Sequence, residues 1–175
     1  MDIKLQATLL RLMNTIDFDK ITVTLICQTA QVNRSTFYAH FLDIYDMMEH
    51  MENYLSQELL LTYENLSASD TDILSPDPFL PLLRHIRKHR YFYKTALQQG
   101  HTLPLQQGYD SLLDQIIKTA SSSDTLLQEN EKIYYRIFLR SGLSSTLQCW
   151  IENDCRESEE DMQKMLIGWM KPFPL

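Results

Sequence analysis

Helix breakers are scarce in this chain, with 4 glycines and 6 prolines in 175 residues. Valine and isoleucine are outnumbered by leucine, methionine, glutamine and lysine-type helix formers, and no segment alternates with the period of a strand. That composition points to an all-α protein. Cysteine is rare and odd in number: Cys27, Cys149 and Cys155 form no Cys-x-x-Cys pair, which excludes a disulfide framework. No stretch approaches the roughly 18 unbroken apolar residues of a membrane helix. The N-terminus has no basic stretch followed by an apolar run, so a secretory signal is not expected and a cytoplasmic protein is the simplest expectation. A Gly-rich phosphate loop and a nucleophile elbow are also missing. The expectation is therefore a non-enzyme with no cofactor and no metal.

Net positive charge is missing too, since the formal charge is −7. In residues 1–50 four cations (Lys4, Arg11, Lys20, Arg34) face six acids (Asp2, Asp17, Asp19, Asp43, Asp46, Glu49), which leaves −2. This excludes a chain that grips polyanions by bulk charge. Placement matters more than the sum, because no acid occurs from Lys20 to Leu42.

Apolar residues at three- and four-residue spacing predict a first helix over 3–16. A polar break, Asp17 to Lys20, precedes a short helix over about 24–31 with Thr22 as its N-cap. Asn33 then caps a third helix over 34–41. Asp43 caps a long one over 44–66. Residues 67–78 read as a loop, with Pro78 fitting a first helical turn. Helices follow at 78–89, 91–98 (ended by Gly100) and 104–119. A second loop lies at 121–124. Two more helices close the chain, at 130–153 and 158–170, the last begun by the Ser158–Asp161 cap. That makes about nine helices, divided as 1–46 and 47–175.

The stretch from Ile21 to Phe41 has the form of a helix-turn-helix, in which the second helix enters a DNA major groove. Arg34 is the sole cation on that helix, and its guanidinium fork can hold a guanine bidentately. Ser35 and Thr36 suit phosphate or thymine methyl contacts. Thr22 and Thr24 sit where phosphate meets a helix start. Tyr38 and His40 follow on the same element, whereas Phe37 and Phe41 read as core.

Ile21-Thr22-Val23, Ile26, Ala30, Val32, Ser35-Thr36, Tyr38 and His40-Phe41, in this order, resemble the N-terminal unit of the TetR family of transcriptional regulators. His85–Arg87 through Phe92–Lys94, and Ser141–Leu143 through Trp150–Glu152, more weakly resemble the branch that includes dihydroxyacetone-kinase operon regulators. The resemblance implies a three-helix DNA-binding head, a larger effector domain, and a homodimer on a double-stranded, pseudo-palindromic operator, most often as a repressor. It also assigns the phosphate-touching roles to Tyr38 and His40. The family usually has glycine in the turn and lysine at the start of the long helix; this sequence has Gln31 and Ile44. With the −2 of the head, Ile44 supports an alternative in which DNA binding is weakened and a protein partner is used instead.

For the effector, an unknown small molecule, the aromatics Tyr63, Phe79, Phe92, Tyr93, Tyr109, Tyr134 and Phe138 are the candidate pocket lining. For the dimer, the candidates are Leu143, Leu147, Trp150, Met162, Met165, Leu166 and Trp169 on the last two helices. A cationic cluster from Arg84 to Lys94 has two readings: a solvated face paired with the acidic run Glu157–Asp161, or a site for an anionic effector.

Overall fold

A computed structural model describes residues 3–69, 79–100 and 128–170, and every regular element among them is helical. The helices are α1 (Ile3–Met13), α2 (Val23–Ala30), α3 (Arg34–Tyr38), α4 (Ile44–Ser69), α5 (Leu80–Lys88), α6 (Arg90–Gln98), α7 (Glu129–Glu152) and α8 (Glu159–Met170), with a 3-10 turn at Phe18–Lys20. The helix expected at 104–119, the loop at 121–124 and Pro78 lie outside the described residues.

Local chemistry sets the ends of these helices. α1 stops three residues early because the Thr15 and Ile16 amides both turn back onto the Leu12 carbonyl, each at 2.9 Å. At α2 the Leu25 amide donates to Thr22 Oγ1 at 3.1 Å, the expected cap. α2 ends at Gln31, whose φ of 54° and ψ of 47° are left-handed. Asn33 has the extended backbone of a cap, but its side chain accepts no capping hydrogen bond, so that part of the expectation is corrected. Asp43 does cap α4: its Oδ1 accepts from the Asp46 amide at 2.9 Å, and Asp46 Oδ2 accepts from the Leu42 amide at 2.7 Å. Before α8, Ser158 Oγ accepts from the Asp161 amide at 3.1 Å, with Glu159, Glu160 and Asp161 in the first turn. α7 closes without glycine. The Cys155 amide reaches the Trp150 carbonyl at 2.8 Å and the Asp154 amide reaches Ile151 at 3.0 Å, with φ of 58° at Asp154 and 52° at Cys155.

One apolar core runs through the described residues. α1 packs on α2 and α6, α2 on α3, α4 on α5, α5 on α6 and α8, and α6 on α7. The four-residue spacing of Met47, Met51, Leu55 and Leu59 puts them on one stripe of α4, and all are buried. α4 therefore joins the head core around Phe37 and Phe41 to the body core around Phe79, Phe92 and Tyr93.

α7 corrects two expectations. It carries apolar residues on two faces. The face turned to the chain's own core holds Leu139, Leu143, Leu147, Trp150 and Ile151, and Met162 and Leu166 of α8 are buried with them. Leu143, Leu147, Trp150, Met162 and Leu166 were expected at a dimer interface, but they are interior to one protomer. Tyr134 and Phe138, expected to line a cavity, are 73% and 68% exposed on the other face, beside exposed Ile133 and Ile137. α6 packs against α7, the Leu-rich stripe is buried and the aromatic one stays outside. Met165 is half-buried and Trp169 exposed.

Candidate nucleic-acid interface

The head gathers the residues that the sequence singled out. α3 begins three residues after Gln31, and buried Phe37 anchors it, stacking edge-on to Tyr38 at 5.5 Å. Burying a phenylalanine of this kind stabilises by about 1.5–3 kcal/mol. With Phe37 facing inward, Arg34, Ser35, Tyr38 and His40 are exposed and Thr36 is half-buried. Arg34 Nη2 donates to Thr24 Oγ1 at 2.5 Å, which ties the cation of α3 to the start of α2. Thr22 is exposed, but its oxygen already caps α2. The Arg34–Thr24 bond links α2 to α3, and no acid occurs in sequence between Lys20 and Leu42. Lys20 is held by Asp17 at 2.7 Å.

Tyr45, which no sequence motif marks, also lies on the surface of the head. It is 60% exposed at the start of α4 and meets the Phe18 ring edge-on at 5.7 Å. Its signal was an aromatic residue off the apolar stripe, one position after Ile44. Leu42, 81% exposed, flanks it.

The aromatic candidates for an effector pocket do not line one cavity among the described residues. Phe79, Phe92 and Tyr93 are fully buried in the core and Tyr63 is half-buried. Tyr134 and Phe138 face outward, and Tyr109 lies outside the described residues. Two open clefts are present instead. One, of about 1010 Å³, runs between α7 and α8 and is lined by Cys149, Trp150, Glu157, Met165 and Trp169 among others. The other, of about 680 Å³, separates the head from α6, with Ile16, Asp17 and Phe18 facing Tyr91, Lys94 and Gln98.

The cationic cluster is largely paired within the chain. Arg84 meets Glu160 at 3.6 Å, Arg87 meets Glu159 at 3.0 Å and Lys94 meets Asp154 at 2.6 Å. Arg87 also donates to the Glu157 carbonyl and sits 5.6 Å from the Trp150 ring, while Arg90 lies 4.3 Å from the Tyr91 ring. These contacts clamp α5 and α6 onto the turn between α7 and α8. They support the structural reading of the cluster over the anionic-effector one.

The same segment contributes to a second set, which its sequence pattern alone does not reveal. Glu58, His85 and His89 offer one ligand atom each within 4.8 Å of one another. The signal was the i, i+4 histidine pair, hidden among cations. His89 Nε2 is 3.6 Å from Glu58 Oε2, and the two imidazole rings are 4.9 Å apart. Burial, then the neighbouring His89 charge, pushes His85 down to about 4; burial also lowers His89 against the opposing pull of Glu58. Burial raises the Glu58 carboxyl, but the Lys88 hydrogen bond and the charges of His89, Lys88 and His85 outweigh it and hold it below its usual range.

A family model described as "Transcriptional regulator C-terminal region" matches residues 75–171. The fold is similar to two solved structures. One is titled "Dihydroxyacetone kinase operon activator DhaS", with TM-score 0.70 and 19% identity over 95% of this chain and 92% of that one. The other is the fatty acid degradation regulator FadR from Bacillus halodurans, with TM-score 0.68 and 14% identity over 95% and 92%. No curated protein matches the sequence.

Proposed function

The chain belongs to the TetR family of transcriptional regulators, and from that premise we propose that it is a ligand-responsive repressor that binds a pseudo-palindromic operator as a cytoplasmic homodimer. The observation that supports this reading is the Arg34–Thr24 bond between α3 and α2, in a stretch with no acid from Lys20 to Leu42 and with Ser35, Tyr38 and His40 exposed. A guanidinium braced by a hydroxyl at a helix start is presented to a base edge or phosphate without rotamer searching.

The exposed apolar face of α7, Ile133, Tyr134, Ile137 and Phe138, together with Trp169 of α8, suits a second copy of the chain. This replaces the interface residues expected from sequence. Effector binding changes the head-to-body angle through the cleft between the end of α1 and α6. The described helices include none long and apolar enough to cross a membrane.

The test is fluorescence anisotropy on the intergenic DNA upstream of the gene, over a salt series. Saturable binding that beats scrambled DNA supports the reading, and a promoter fusion then reads the sign of regulation. Equal binding to both DNAs by a folded dimer favours the alternative of a weakened head and a protein partner, which Ile44 supports.

A further inference from the structure

We propose that Glu58, His85 and His89 form a binding site for one zinc-class divalent transition-metal ion per protomer, built into the body where α4 meets the α5–α6 joint. The donor set decides the class of ion. Two imidazoles and one carboxylate suit zinc, cobalt or nickel, whereas magnesium and calcium require oxygen ligands throughout. The three atoms lie within 4.8 Å of one another. Ligands about 2.0–2.1 Å from a tetrahedral ion stand roughly 3.3 Å apart, so side-chain rotations of about an ångström close the site.

Burial and unmet valence support the assignment. His85 and His89 are only 7% and 8% exposed. His89 Nε2 has no hydrogen-bond partner, and its 3.6 Å approach to Glu58 Oε2 is too long for one. A buried ring nitrogen whose polar contact is this long ion pair is under-satisfied, and a metal bond would relieve that. Both histidines are held neutral by burial, the state in which a ring nitrogen offers its lone pair. Neighbouring groups already fix the ligands. The Tyr93 hydroxyl lies 2.8 Å from His85 Nε2, and Lys88 Nζ holds Glu58 Oε1 at 2.6 Å, leaving Oε2 toward His89. The charges facing the ion are the Glu58 carboxylate and the Lys88 ammonium.

The position gives the ion leverage. Glu58 sits on the helix whose first turn packs into the DNA-binding head, about 21 Å from Ile44 at 1.5 Å per residue. His85 lies on α5, which packs against α4, and His89 lies at the joint between α5 and α6. An ion bridging them fixes how α4 docks. This consequence, unlike the site itself, rests on the regulator reading above.

The experiment is titration of the metal-free full-length protein with Co²⁺, followed by visible absorption and calorimetry, with Zn²⁺ as competitor and no DNA present. One Co²⁺ per protomer is expected, with ligand-field bands, no thiolate-to-cobalt charge-transfer band, and displacement by Zn²⁺. His89→Gln and Glu58→Gln should each weaken binding at least about tenfold, with unchanged helical circular dichroism. No Co²⁺ bound, binding untouched by both variants, or a thiolate band assigning the ion to cysteine overturns the proposal. Should a variant fail to fold, the wild-type spectrum and stoichiometry decide alone. Because no DNA is used, failure here is distinguishable from failure of the DNA-binding reading.

Discussion

Replacing Gln31 by glycine should stabilise the protein. Gln31 is the tight turn of the helix-turn-helix, with φ 54° and ψ 47°. Its amide donates to the Gln28 carbonyl at 3.2 Å, and the next amide, Val32, donates to Cys27 at 3.0 Å. The turn is thus fixed by hydrogen bonds that demand the left-handed conformation, while the exposed side chain contributes no packing. An L-residue held there costs about 1–2 kcal/mol. Glycine removes that strain but gives the unfolded chain more freedom to lose, about 0.4–1 kcal/mol. The net gain is about 0.5–1 kcal/mol, or roughly 1–4 °C in midpoint for a chain of this size. Gln31→Ala keeps the strained Cβ and should stay within about 0.5 kcal/mol of wild type. Both variants are compared by thermal and urea unfolding at one protein concentration, since dimerisation makes the midpoint concentration-dependent. If glycine gives no gain, or alanine gains as much as glycine, the turn is not strained and the reasoning is refuted.

Arg34→Ala should weaken operator binding by about 1–3 kcal/mol for each head and relax the base preference if Arg34 reads a base; if it meets phosphate, two cations lost per dimer should make the slope of log K against log salt shallower by about 2, and unchanged affinity together with an unchanged slope would place Arg34 off the DNA. Acid should destabilise the fold through His85, which burial holds at about 4 against an ordinary 6.5. The unfolded chain binds the extra proton between these values, so stability is full above about pH 6.5 and falls toward pH 4 by on the order of 3 kcal/mol. Urea midpoints measured in chelator across that range check it, and His85→Gln should flatten the slope. Tyr134→Glu with Phe138→Glu should leave a folded monomer by light scattering, because charge on an apolar interface face must be desolvated; a persisting dimer would place the interface elsewhere.

The head was legible because its signals are local and positional. Thr22 and Asp43 cap the helices they were expected to cap, Gln31 occupies the left-handed turn, and Phe37 and Phe41 go to the core. Asn33 shows the limit: its backbone takes the cap conformation while its side chain stays out of the cap. α7 was not legible because a 3.6-residue period finds apolar faces without ranking them. Leu143 and Leu147 were as plausible on a partner as in the protomer, and packing against α6 decided it. The cationic segment hid two arrangements of different kinds. Arg84 and Arg87 find carboxylates more than seventy positions away, which the expected pairing with Glu157–Asp161 anticipated. His85 and His89 instead turn inward to Glu58, a partner that no local pattern names.

In the proposed function a symmetric pair of these heads reads DNA. Its most direct test is selection of bound sequences from a random double-stranded pool by the full-length protein, followed by sequencing. Two inverted half-sites at a fixed spacing should be enriched, and the enrichment should be lost in Arg34→Ala. No enrichment from a folded protein, or a single asymmetric site bound equally by Arg34→Ala, would contradict that function.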